Sequence, residues 1–195
     1  MAKVQWKGST LLAPLPPIMV SCGTMEHSNI LTVAWTGIIN TQPPRTYISV
    51  RPSRYSYQII RESGEFTLNL TTASLIRAAD YCGIFTGAKV DKFTKCGLTR
   101  EAGSVVACPA IAESPLSLEC RVIDILPQGT HDMFLADIVA VRAEEALLDA
   151  KGRLCLEHAD LAAFAHGEYF ALGRKIGTFG FSATRKKPSR RSHGQ

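Results

Sequence analysis

Residues 29–56 read NILTVAWTGIINTQPPRTYISVRPSRYS, and the rest of the 195-residue chain can be arranged around them. Ile30 to Asn40 is largely apolar and β-branched, so it reads as a strand covered on both faces in its middle. Thr41 to Pro44 turns the chain. Arg45 to Arg51 then alternates, as a further strand does. Ser53 follows Pro52 where a helix N-cap belongs, and the helix it opens stops at Gly64.

Working outward, Ile18 to Thr24 reads as a preceding strand and Glu65 to Leu70 as a following one. Ser74 to Cys82 reads as a helix ended by Gly83. Gly83 to Ala110 has scattered Gly, Lys and Thr with weak periodicity, and is expected to be a long, ordered loop. Leu116 to Leu126 and Met133 to Val141 form a long hairpin through the Gly129-Thr130-His131-Asp132 turn. Residues 144–165 are mixed, with a turn at Lys151-Gly152 and a short helical stretch near Asp160. Glu168 to Leu172 is a last short strand. Many hairpin-connected strands with a few inserted helices predict a mainly β fold, an antiparallel barrel with helical decoration. No GxGxxG opens a helix after a strand, so a dinucleotide-binding α/β domain is not supported.

Composition narrows the function classes. No stretch approaches the roughly 20 apolar residues of a membrane span, and the run from Leu11 to Val20 is broken by Pro14, Pro16 and Pro17. A cytoplasmic protein is therefore expected. The net charge of +5 resides in the C-terminus: Arg185, Lys186, Lys187, Arg190 and Arg191 come with no acid, and without them the chain carries 17 charges of each sign. Residues 1–182 are expected to form one domain and residues 183–195 a solvated basic tail. Such a tail can attract nucleic acid, but no aromatic residues are interleaved with its charges, so nucleic-acid binding ranks last. The six cysteines form no C-x-x-C pair and have no histidines at zinc-finger spacing, so no metal site is expected. Reduced, buried thiols are the expectation, with a redox-active Cys82–Cys96 pair a minor alternative.

The candidate chemistry clusters in residues 29–56. An N-capped helix start leaves the amides of Arg54, Tyr55 and Ser56 facing outward, with hydroxyls from Ser53 and Ser56 and the Arg54 guanidinium beside them. Orphan amides, the helix dipole and a guanidinium fork suit a phosphate; an ordinary capped surface helix is the competing reading. Lys92, on the long loop, is a second cation if that loop folds back, and otherwise a surface lysine. Trp35 offers a large flat face to a ring, or is simply core. Thr36 and Gly37 would let backbone N–H groups approach a ring's polar edge, and Asn29 offers a donor and an acceptor. His131 sits at a hairpin tip, either exposed or donating to a ring. Phe164 is core, or a lid. No nucleophile elbow or nucleophile–base set appears, so hydrolysis is poorly supported.

These residues carry a resemblance. PPIMVSCGT, then N-x-x-T-x-A-W-T-G, PPR-x-Y-I-S-V-R-P-S-R-x-S, EFTLNL and CG-x-x-T-G-x-x-V-D-K-F occur in order. The chain from about Pro14 to Gly177 resembles the flavin reductase-like family, and within it the flavoredoxin branch. The resemblance implies a Greek-key FMN-binding split β-barrel, a homodimer, and one FMN per subunit. It implies FMN phosphate contacts at Ser53, Arg54, Ser56 and Lys92, and ring contacts at Trp35, Thr36, His131 and Phe164, with Asn29 also an FMN-binding position. His131 would be the catalytic position. Thr130 stands where many NADH-using members have aspartate, and Ser56 where threonine is common. Two functions are implied: an FMN-dependent oxidoreductase that takes electrons from NAD(P)H, or a non-enzymatic carrier reduced by a partner redox protein.

Overall fold

The computed structural model describes residues 1–183. Its strands are β1 (Ile18–Gly23), β2 (Ser28–Val33), β3 (Thr36–Thr41), β4 (Pro44–Val50), β5 (Glu65–Asn69), β6 (Arg100–Glu101), β7 (Ala110–Ile111), β8 (Leu116–Pro127), β9 (Asp132–Ala143), β10 (Ala162–Ala165) and β11 (Glu168–Ala171). Three helices interrupt them: α1 (Tyr55–Ser63), α2 (Ile76–Ile84) and α3 (Lys92–Cys96). Seven strands make one antiparallel sheet in the order β2-β1-β5-β8-β9-β4-β3. The basic tail lies outside the described residues from residue 184 onward. No described helix is long and apolar enough to cross a membrane.

The two edge strands of this sheet, β2 and β3, are joined by Ala34 and Trp35 alone. So short a link spans no more than about 11 Å. The sheet must therefore curl until its edges approach each other, and the curled sheet is the expected barrel. At the meeting point the Ser49 amide of β4 donates to the Trp35 carbonyl at 2.9 Å. The long apolar run is thus two strands with a bend at the tryptophan, which corrects the single strand expected from Ile30 to Asn40. The first part has both faces covered, as expected: Leu31 and Val33 face the barrel interior, while Ile30 lies under the helices. The second part does not: Ile38 and Ile39 are exposed on the edge strand β3.

Alternation along β1 explains the two cores. Ile18, Val20 and Cys22 point into the barrel beside Phe66, Ile48 and Phe134. Met19 points out and is covered by Ala79 and Cys82 of α2 and Phe93 of α3. A period of two places successive side chains on opposite faces, so one strand serves both clusters. Burial of each large apolar side chain contributes roughly 1.5–3 kcal/mol.

Elsewhere the structure moves several boundaries. Gly83 lies inside α2, which runs on to Ile84. The supposed loop from Gly83 to Ala110 contains α3 and β6, and α3 is opened by the N-cap Asp91, whose carboxylate accepts from the Phe93 and Thr94 amides. Helix α1 begins at Tyr55 with Arg54, not Ser53, at its N-cap, and no side chain caps it. The Arg54 amide donates to the Arg51 carbonyl at 2.9 Å, so Pro52 and Ser53 are used up in a tight turn before the helix. Gly64 ends α1 in the left-handed region with φ 68°. The hairpin β8–β9 is present and longer than expected.

Candidate functional site

A cleft of about 630 Å³ opens where β2, the Trp35 bend, the start of α1 and the segment after α2 come together. Of the ten residues expected to bind a cofactor, the cleft wall brings together Asn29, Trp35, Ser53, Arg54, Ser56, Lys92, His131 and Phe164. They come from six separate segments of chain. Thr36 and Gly37 are not on that wall. The bend directs them onto β3, where the Thr36 hydroxyl donates to the Tyr47 carbonyl and its amide to Ala34. Both polar groups of Thr36 are thus engaged by backbone carbonyls.

One end of the cleft is cationic. Arg54 and Lys92 contribute to it, Arg51 stands on the wall toward His131, and no acidic side chain lines the cleft. The uncapped first turn of α1 adds orphan backbone amides and the positive end of its dipole. Lys92 is not a surface lysine: it is 3% exposed, and its Nζ donates to the Ile30 carbonyl at 2.6 Å and to the Cys82 carbonyl at 2.8 Å. Because α3 folds back onto β2, Lys92 reaches the cleft wall. An ammonium has three N–H groups, so one remains for a ligand. Burial pulls the Lys92 pKa below the ordinary lysine value.

Asn29 and Ser56 sit beneath this end. The Asn29 amide nitrogen donates to the Ser56 hydroxyl at 2.6 Å, fixing β2 to α1. Gly87 passes so close that an added Cβ would lie 2.2 Å from the Asn29 Oδ1 and 2.8 Å from the Tyr55 ring. Only glycine fits there without displacing the polar pair.

The other end is aromatic. The rings of Trp35 and His131 are 4.5 Å apart, with planes inclined at 56°. His131 is held at both nitrogens: Arg51 Nε donates to Nε2 at 3.4 Å, and Nδ1 lies 2.9 Å from the Thr130 hydroxyl. Those partners place its proton on Nδ1. Burial, then the charges of Arg51 and Arg54, hold the imidazole below its ordinary pKa, so it is neutral near pH 7. The hairpin tip is anchored by the neighbouring Asp132, which accepts from the Tyr57 hydroxyl of α1 at 2.5 Å. Phe164 closes the far side from β10, whose backbone bonds to Leu15 in both directions.

Sequence reasoning missed Arg51, Tyr55 and Phe85 as wall residues. By pattern Arg51 only ends a strand, while the Arg-x-x-Arg spacing across the proline turn brings Arg51 and Arg54 to the same cleft. Phe85 carries no local signal; it enters through the stacking of its ring on Tyr81 at 4.2 Å.

Comparison with known proteins identifies the family. Residues 12–172 match the family model described as flavin reductase like domain. The flavoredoxin of Desulfovibrio vulgaris (Miyazaki F) is 31% identical and superposes with a TM-score of 0.87, covering 94% of this chain and 100% of that one. The flavoredoxin of Methanosarcina acetivorans is 26% identical with a TM-score of 0.85, covering 94% and 100%. A protein of Archaeoglobus fulgidus is 31% identical over 140 residues, 72% of this chain and 78% of its own length. The chain belongs to the flavin reductase-like family.

Proposed function

We propose that this protein binds FMN in the cleft and passes electrons through it as an oxidoreductase, with NAD(P)H as the electron donor. The observation that carries the reading is the polarity of the cleft: Arg54, Lys92 and an uncapped helix start at one end, no acid on the wall, and at the other an aromatic pair with Arg51 beside it. A molecule with a phosphate at one end and a flat ring at the other fits that division. Arg54, Lys92, Ser53 and Ser56 would hold the phosphate, and Trp35, His131 and Phe164 would border the ring. Bound FMN supplies the redox chemistry, and the protein supplies position and field. His131, neutral and with its proton on Nδ1, adds no charge to the ring end; Arg51 and Arg54 supply the positive field there that favours an electron-rich ring. Ile38 and Ile39, exposed on the edge strand next to the Trp35 bend, support a homodimer joined near the cleft.

A second reading has its own support. The likeness to flavoredoxins favours a carrier that receives electrons from another redox protein instead of from a nicotinamide. An anaerobic absorption spectrum of the FMN-loaded protein, before and after NADH or NADPH, separates the two. Bleaching of the flavin band within the mixing time supports the oxidoreductase. A flavin that stays oxidised under excess nicotinamide, yet is reduced by a ferredoxin-type protein, supports the carrier.

A further inference from the structure

Five of the six cysteines are buried; Cys96 is the one that is not. It ends α3, one turn after Lys92, and packs against the α2 residue Cys82 on the outer side of the sheet. The Cys82 thiol lies in the apolar cluster beneath α2 and α3, and Cys96 packs onto that same cluster. Between them the chain leaves α2, passes Phe85, Thr86 and Gly87 on the cleft wall, and enters α3. The Cys82 carbonyl also accepts the Lys92 ammonium, so the two thiols bracket the cation at the cleft's base.

We propose that Cys82 and Cys96 form a reversible disulfide that staples α2 to α3 and fixes the wall segment 83–95 of the cleft. The oxidant is a low-molecular-weight disulfide. The half-exposed Cys96 thiolate attacks it, forming a mixed disulfide and releasing one thiol. The Cys82 thiolate then attacks the Cys96 sulfur, closing the intramolecular bond and releasing the second thiol. Two protein thiols lose two electrons and two protons, and one small disulfide becomes two small thiols. The order of attack follows from environment: burial pushes the Cys82 thiol up to about 12, against the opposing pull of Lys92. Cys82 is therefore a slow nucleophile that acts only once its target is held beside it, where effective concentration replaces reactivity. Reduction by an external dithiol reverses both steps. Tying the two ends of segment 83–95 removes freedom that the wall needs to open. The stapled form should therefore release its cofactor more slowly. That consequence rests on the FMN reading; the bond itself does not.

The test uses the full chain incubated with excess oxidised glutathione, blocked with an alkylating reagent and mapped by peptide mass. The expected result is a peptide pair linked through Cys82 and Cys96, abolished by Cys96→Ala and retained in Cys108→Ala. Glutathione retained on Cys96 with Cys82 still free, or a different linked pair, would overturn the proposal. FMN release is then followed by the recovery of flavin fluorescence. About fivefold slower release from the oxidised protein, absent in Cys96→Ala, is expected, and equal rates would overturn the effect on the wall. If the protein takes up no FMN, the cofactor reading fails while the mass map still decides on the disulfide.

Discussion

At one end of the cleft Lys92 is enclosed by protein and donates to two backbone carbonyls; at the other, Trp35 and His131 stand on a bend and a hairpin tip with part of their surface in solvent. The buried end is prepaid by folding: its cation already satisfies the Ile30 and Cys82 carbonyls, so placing it costs a ligand little ordering entropy. The outer end is held by a ring contact and by hydrogen bonds to Arg51 and Thr130. Affinity should therefore depend on the buried end, and the redox properties of a bound ring on the outer one.

The sharpest way to break that division is Lys92→Met. It leaves two buried carbonyls without a donor, so unfolding in urea should show a loss of roughly 2–4 kcal/mol. FMN binding should fall at least about a hundredfold, since an ion-paired phosphate contact is lost as well. Stability unchanged alongside lost binding would show that Lys92 is not a structural member of the core.

Arg54→Ala removes a cation from an exposed position, so the fold should be unaffected. FMN affinity should drop about ten- to a hundredfold, while riboflavin, which has no phosphate, should bind as it does to the unaltered protein. Equal losses for both ligands would place Arg54 at the ring instead. Gly87→Ala should cost about tenfold in FMN affinity through the displaced Asn29–Ser56 pair, measured by fluorescence titration.

His131→Gln should have the smallest effect on affinity and shift the flavin reduction potential instead, read by dye-equilibrated titration. The histidine also carries a pH signature. Its pKa is lower in the folded protein than in the unfolded chain, so the unfolded chain binds the extra proton first on acidification. The neutral imidazole's contribution is whole above the ordinary histidine pKa and is lost as pH falls through the depressed folded value. Thermal melts between pH 7.5 and 5 should show a smaller decline for His131→Gln than for the unaltered protein.

The same contrast explains what the sequence made visible. Periodicity along Glu65–Asn69 and along the β8–β9 hairpin revealed the sheet, because each strand carries its own alternation. The break at Trp35 was invisible, because a strand that changes partners keeps its β-branched composition; only closure of the barrel requires the bend. The five-residue α3 is too short for a helical period and is defined by the Asp91 cap, so Lys92 could be placed only conditionally. Ser53 looked like a cap because the rule weighs residue type, while the turn closed by Arg51 moved the helix start onward. β10 is three alanines and a phenylalanine, with no alternation to read. Eight of the ten expected cofactor residues nonetheless converge on one cleft, and the two that do not lie just beyond the bend.

The most direct test of the cleft's assignment is a parallel titration of the flavin-free protein with FMN and with riboflavin, followed by quenching of flavin fluorescence at low and moderate salt. The account predicts that FMN binds at least about a hundredfold more tightly, with the preference shrinking as salt screens the exposed arginines. Riboflavin binding as tightly as FMN, or neither flavin binding at all, would contradict it.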